Sequence, residues 1–283
     1  MLRYLLYLLV FINLIFLFSC NKDKLKAPQS SFLVVNPVNL KTNYLTQGSN
    51  SHKITDIWYY VDGQFKGIFP VGSVMPIVSN GNAEITLYAG IKNNGISATR
   101  TPYALYNAIT FNQKTEPGKT YTISPEFTYN SGAFFYYADA FEPGGSSFIS
   151  NGDSAYVNTS ASISTQGKAF EGVGTIYMSM SDAKPTAEML QSQAYFLPAG
   201  GATIYLELNY KCNQPFTVGI IGGSERRTAL TINKSEEWNK IYVQLTGVVN
   251  LQPSYTNYKV FIHADKVVAS PEIYIDNVKL IYQ

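Results

Sequence analysis

Apolar and polar residues alternate with a period of two along most of the chain after residue 31, the pattern of strands with one buried face. Ile57, Tyr59 and Val61 alternate with Trp58 and Tyr60, and Asp62-Gly63 then supplies the positive φ angles of a tight hairpin turn. Gln64 to Pro70 is expected to return as the partner strand, with Pro70 ending the pairing. Ile85, Leu87 and Ala89 form another alternating run, closed by Asn93-Asn94-Gly95. Pro117-Gly118 turns the chain into Thr120-Tyr121-Thr122-Ile123. Short strands separated by turn signals every ~8–12 residues indicate a β-sandwich.

The pattern restarts near residues 127–131 with longer strands, which places a domain boundary there. Ile204, Leu206, Leu208 and Tyr210 share one face, with Tyr205, Glu207 and Asn209 on the other. Ile241, Val243 and Leu245 repeat the arrangement, as do Tyr258, Val260 and Ile262. Two packed sheets need such one-sided strands. The last run, Glu272 to Tyr282, changes parity, since Ile273 and Ile275 are odd but Val278 and Leu280 even. A β-bulge at Asp276-Asn277 would reconcile them. Thr186 to Gln193 is the only helix-like stretch and reads as a single turn in a loop. The fold class expected is therefore all-β, with one sandwich over 32–130 and a second over 131–283.

The first nineteen residues follow another rule. Met1-Leu2-Arg3 carries one positive charge, Tyr4 to Phe18 is apolar apart from Asn13, and Asn21 to Lys26 is abruptly polar. This is the order of a secretory signal; an uncleaved anchor is the alternative, but the run is shorter than the ~20 residues of a spanning helix. Leu17-Phe18-Ser19-Cys20 resembles the bacterial lipobox, although Phe18 is bulkier than that family's usual residue. The resemblance implies that residues 1–19 are removed and that Cys20 is acylated, which attaches the chain to a lipid bilayer. Residues 20–31 then form a tether, which at about 3.3 Å per extended residue reaches some ~35 Å.

Composition narrows the chemistry. Net charge is +2 and no basic cluster is dense enough to follow a phosphate backbone, which excludes nucleic acid as a partner. Twenty-two tyrosines give large apolar faces with polar tips, suited to wet binding surfaces. With Cys20 lipidated, Cys212 is left unpaired and reads as a half-buried small residue at a strand end. His52 and His263 lie in no metal-ligand spacing, and Gly-x-Ser-x-Gly is absent. Gly144-Gly145-Ser146-Ser147 and Gly222-Gly223-Ser224-Glu225 lack the Lys-Ser/Thr ending of a phosphate loop and read as turns. Glu142, Glu171, Glu207 and Glu225 are scattered, and spacing alone brings no pair together. No catalytic residue is assigned, and the chain is not expected to be an enzyme.

Two family resemblances complete the picture. Val61-Asp62-Gly63-Gln64-Phe65-Lys66-Gly67-Ile68-Phe69-Pro70, with Gly81 to Leu87 after it, is similar to the PEGA domain, which implies a small Ig-like sandwich. In the second region Asp139-Ala140-Phe141-Glu142, Glu237 to Leu245 and Tyr274 to Leu280 resemble the opening, Trp-bearing and closing strands of carbohydrate-binding-module jelly rolls. The first likeness thus implies an N-terminal Ig-like sandwich and the second a C-terminal jelly roll. The second also implies a structural Ca²⁺ held by Glu142 and Asp276, with Asp139 a further candidate. Trp238 would plug the sandwich edge. Aromatic residues for stacking on sugar are plentiful (Trp58 to Tyr60, Phe134 to Tyr137, Tyr195-Phe196, Tyr255 to Tyr258), but none is singled out as ligand-binding. The expected role is that of a Bacteroidota-type lipoprotein, surface-exposed on the outer membrane, that binds extracellular or cell-surface polysaccharide. The alternative is an assembly role, docking to an envelope protein complex.

Overall fold

The computed structural model describes residues 30–79, 81–142, 146–150, 168–251, 255 and 257–283; the leader, Cys20 and the tether up to residue 29 lie outside the described residues. The first half holds β1 (Ser31–Val35), β2 (Asn39–Lys41), β3 (Asp56–Val61), β4 (Gln64–Pro70), β5 (Val74–Ile77), β6 (Asn82–Lys92), β7 (Arg100–Pro102), β8 (Ile109–Lys114), β9 (Thr120–Ile123) and β10 (Glu126–Thr128). The second holds β11 (Phe134–Asp139), β12 (Phe148–Ser150), β13 (Ile176–Met178), β14 (Thr186–Gln191), β15 (Tyr195–Phe196), β16 (Ile204–Cys212), β17 (Phe216–Gly222), β18 (Glu225–Ile232), β19 (Ser235–Gln244), β20 (Asn257–Asp265) and β21 (Ile273–Tyr282). Short helices occur at Tyr44–Gln47 and Thr246–Asn250, and among the described residues no helix is long and apolar enough to cross a membrane. The chain is all-β.

In the first sandwich, a sheet ordered β4-β3-β6-β7, with β8 also on β6, faces a smaller sheet ordered β5-β1-β9. Asp62 (φ 51°) and Gly63 (φ 71°) form the expected hairpin turn between β3 and β4. Ile57, Tyr59, Val61, Ile85, Leu87 and Ala89 are all buried in its core, on the faces their alternation predicts.

The second sandwich pairs a sheet ordered β11-β21-β16-β19, joined by β13, with one ordered β12-β14-β20-β17-β18, joined by β15. Its core takes Ile204, Leu206 and Leu208, then Ile241, Val243 and Leu245, then Tyr258, Val260 and Ile262. The bulge in β21 falls where the parity change requires it: Glu207 pairs Lys279 but Asn209 pairs Asp276, and Asn277 adopts φ 50°.

Two expectations need correction. Thr186–Gln191 is strand β14, not a helical turn. Its helix-forming residues are overridden because Ala187, Met189 and Gln191 alternate into the core and the strand pairs β20 from Thr186↔Asp265 to Leu190↔Phe261. The odd face of β16, read as polar and open, is buried as well. Tyr205, Tyr242 and Ile281 belong to the core cluster of the first half, so the outer face of the β21-β16-β19 sheet packs on the first sandwich.

Charge is buried in that contact. Glu207 and Lys240 side chains are 0% and 2% exposed, with Lys240 Nζ 2.9 Å from Glu207 Oε2. The ammonium is close but not aligned as a hydrogen bond, so this is an ion pair held by distance. Tyr103 and Tyr129 hydroxyls donate to Glu207 Oε1 at 2.7 and 2.9 Å, and Lys279 Nζ donates to the Ser49 carbonyl at 2.6 Å. Burial alone would raise the Glu207 pKa, but Lys240, Lys279 and the hydrogen bonds outweigh it and hold the carboxyl below the ordinary carboxylate value. Tyr103 packs at 4.6–5.0 Å from the rings of Tyr106, Tyr205 and Tyr242.

Candidate functional site

The aromatic candidates separate into three places. On the outer face of the first sandwich, Trp58 and Tyr60 stand beside Phe65 (5.5 and 5.2 Å), and Tyr60 beside Tyr88 (5.4 Å). Trp58 therefore packs on its own hairpin partner and not on the second sandwich. Trp238 meets Phe170 edge-on at 5.6 Å, a packing contact beside the sheet edge. The third place is a rim of the second sandwich, where rings meet polar groups.

That rim is built by a bulge. Register in β11 shifts between Phe135 and Tyr137, leaving Tyr136 as the extra residue. Phe135 consequently packs against the first core and Tyr137 joins the second. Phe134 lies 5.1 Å from both Tyr136 and Tyr282, Tyr136 stacks on Tyr282 at 5.1 Å and 21°, and Tyr195 follows at 4.9 Å from Tyr136. The Tyr136 hydroxyl donates to the Phe196 carbonyl, which ties β15 to the row. Phe134 is 51% and Phe196 49% exposed.

The row runs into an open cleft of ≈ 560 Å³ lined by Tyr44, Asp139, Glu142, Ser192, Gln193 and Tyr195 among others. The Tyr44–Gln47 helix that supplies one wall is capped by Asn43, whose side chain accepts from Leu45 N at 3.1 Å. Gly48 lets it sit close, for a Cβ there would lie 2.8 Å from Ala138 Cβ. Rings that offer flat apolar faces, next to carboxylates and amides that accept and donate hydrogen bonds, can hold a saccharide by stacking and by its hydroxyls.

The three acids expected to hold a cation have other partners. Asp139 accepts from Phe141 N (2.8 Å), Ser147 N (2.5 Å) and Ser146 Oγ (3.4 Å), closing a turn. Asp276 Oδ2 accepts from Phe170 N and Glu171 N, and Oδ1 from Asn277 N. Glu142 Oε1 accepts from Val173 N at 3.0 Å and Gly174 N at 3.4 Å. Glu142 and Asp276 thus grip neighbouring amides of one loop, 170–174. Among the described residues no three His, Cys, Asp or Glu side chains converge to hold a metal. One orphan lies beside them: Glu171 Oε1 is buried without a partner.

Other sites anticipated from single residues fall elsewhere. His263 lies on the open face of the second sheet, with Nδ1 3.1 Å from Glu188 Oε2 and Nε2 3.3 Å from Asp265 Oδ1. Arg226 pairs the same Glu188 at 2.5 Å and covers the Phe261 ring. Glu188 was hidden from sequence reading because it lies in β14, the segment read as helical. Cys212 is a free thiol at a strand end, as expected, but it is fully buried and not half-buried, and burial raises its pKa. Gly144 and Gly145 lie outside the described residues.

No protein-family model matches the chain, and no curated protein matches it. Solved structures do show similarity. A mutant family 29 carbohydrate-binding module complexed with mannohexaose is 10% identical, over 53% of this chain and 92% of that one, with a TM-score of 0.38. Another mutant of that family, complexed with cellulohexaose, is 11% identical over 54% and 93%, with a TM-score of 0.36. A family 4 module is 16% identical over 40% and 74%, with a TM-score of 0.31.

Proposed function

We propose that the chain binds polysaccharide without catalysis, along the aromatic rim Phe134–Tyr282–Tyr136–Tyr195 and into the cleft beside Glu142 and Gln193. The observation that supports this is the continuity of the half-exposed Phe134 and the partly buried Tyr282, Tyr136 and Tyr195 with a polar cleft of saccharide size. A glycan array probed with the full chain tests it, with Phe134→Ala and Phe196→Ala as variants. Both residues are half-exposed, so their loss spares the core. Each ring lost should weaken binding roughly three- to tenfold, from ~0.5–1.5 kcal/mol per aromatic contact. A wild-type chain that retains no glycan, or variants that bind as well as wild type, would overturn the reading.

The proposal includes the anchor. Acylation of Cys20 would tie the chain to the outer membrane of a Bacteroidota-type cell, facing outward. Labelling with a fatty-acid probe should be lost in Cys20→Ala, and equal labelling would remove the anchor. Calcium is also retained as a proposal for Glu142 and Asp276, supported by the orphaned Glu171 Oε1 beside them and by the oxygen-only chemistry of these acids. A second reading, docking to an envelope protein, draws on the exposed Trp58–Tyr60–Phe65–Tyr88 face, since solvent-facing aromatic patches mark contact surfaces. Co-purification with an envelope complex, lost in Phe65→Ser, would favour it.

A further inference from the structure

Between the two sandwiches lies a second cavity, of ≈ 420 Å³, unrelated to the aromatic rim. We propose that it binds an acidic sugar unit, through a carboxylate or sulfate group held by Lys53 and Lys92. The walls come from both halves. Lys53 precedes β3 and Lys92 ends β6, while Tyr210, Leu230 to Ile232 and Asn239 to Tyr242 come from β16, β18 and β19, and Asn233 from the turn after β18.

Its lining is one-sided in charge: three lysines and no acid. Lys240 is paired with Glu207, which is not among the lining residues, and its side chain is 2% exposed, so Lys53 and Lys92 are the cations open to a ligand. Among the described residues Lys53 and Lys92 make no ion pair; the Lys53 ammonium reaches only the Asn239 side-chain oxygen. Burial lowers the Lys53 pKa and the neighbouring Lys92 lowers it further, so the Lys53 ammonium is held where an anion would relieve it.

The walls are also built, not incidental. Tyr242 accepts from Lys53 N at 2.9 Å and its carbonyl from Asn94 N at 3.0 Å, locking both first-half loops to β19. Gly95 (φ +69°) closes the gap, since a Cβ there would lie 3.0 Å from Ile241 Cδ1. Leu230, Ile232 and Ile241 give an apolar floor, and Thr55, Thr231 and Asn233 offer partners for hydroxyls. A volume within the ~300–1,000 Å³ range of small-molecule sites suits one or two sugar rings better than a bare ion.

The test is calorimetric titration of the full chain at low salt with digalacturonate, with a sulfated disaccharide, and with cellobiose as the neutral control. One or both acidic disaccharides should bind and weaken as salt rises, and which of them binds identifies the anionic group. Lys53→Met with Lys92→Met should reduce that binding at least tenfold and leave any binding of cellobiose unaffected. Should the double variant melt early, Lys92→Met alone provides the measurement. The inference is overturned if neither acid binds, if the lysine variants weaken cellobiose as much as the acids, or if the lysine variants bind the acids like wild type. Because it does not involve the aromatic rim, it stands or falls separately from the polysaccharide reading.

Discussion

Asp276 concentrates the chemistry of the second sandwich in one side chain. Burial pushes its carboxyl up to about 7, against the lowering effect of amide donors from Glu171, Asn277 and Phe170. The unfolded chain loses this proton near 3.8 and the folded one near 7, so the contribution to stability is full below the first value. It is lost as pH rises through the second. Asp276→Asn stays neutral throughout, so the melting temperature of wild type relative to the variant should fall between about pH 4 and 7 and level off above; parallel curves would refute titration at this site. Lys279 titrates in the opposite sense, pushed down to about 7 first by burial and then by Lys240, but it is common to both proteins and cancels. Millimolar calcium should raise the melting temperature of wild type and not of Asp276→Asn, by up to about 2.7 kcal/mol of binding energy at a hundredfold excess. No rise in wild type would remove the calcium proposal. At this scale the sequence was informative about Asp276 and silent about its partners. The run Phe170–Gly174, which supplies the amides, carries no periodic signal and is fastened by the acids it covers and by the contact of Phe170 with Trp238.

Among elements, β21 is the most constrained, buried from Ile273 to Ile281. Its bulge was legible because a parity change between Ile275 and Val278 within one strand requires an inserted residue to keep both on the core side. Asn277 takes the positive φ there, and both polar atoms of its side chain are buried without partners. Asn277→Gly should therefore be neutral or stabilising in chemical denaturation, because it relieves the backbone and removes an unsatisfied amide. Asn277→Val should cost about 2–3 kcal/mol, for a β-branched residue resists φ 50°. If valine were tolerated as well as glycine, the backbone constraint would be disproved. Strand β14 teaches the opposite lesson. Thr-Ala-Glu-Met-Leu-Gln favours helix locally, and only its pairing with β20, distant in sequence, decides otherwise.

For the whole molecule, the contact between sandwiches was the least legible feature. Tyr205, Glu207 and Asn209 look like a solvated face until the first sandwich covers them, and the cavity lysines lie at positions 53, 92 and 240 with no local signature. Lys240→Met should destabilise by about 3–5 kcal/mol, since it strands the buried Glu207 carboxylate. The double variant Glu207→Leu, Lys240→Met should recover much of that loss. Additive losses in denaturant would mean that the pair is not coupled. Residues 131–283 alone would expose Tyr205, Tyr242 and Ile281, and should melt below the full chain. The chain enters the first sandwich through β1 and leaves it after β10, and both are held in parallel, β1 to β9 and β2 to β10. Tension between the two ends would slide each parallel pair lengthwise, so that its hydrogen bonds bear the pull together and do not open one after another. A molecule tethered at one end and loaded by a long polymer at the other would then yield at high force, and a pulling experiment that opened the first sandwich with little resistance would contradict it.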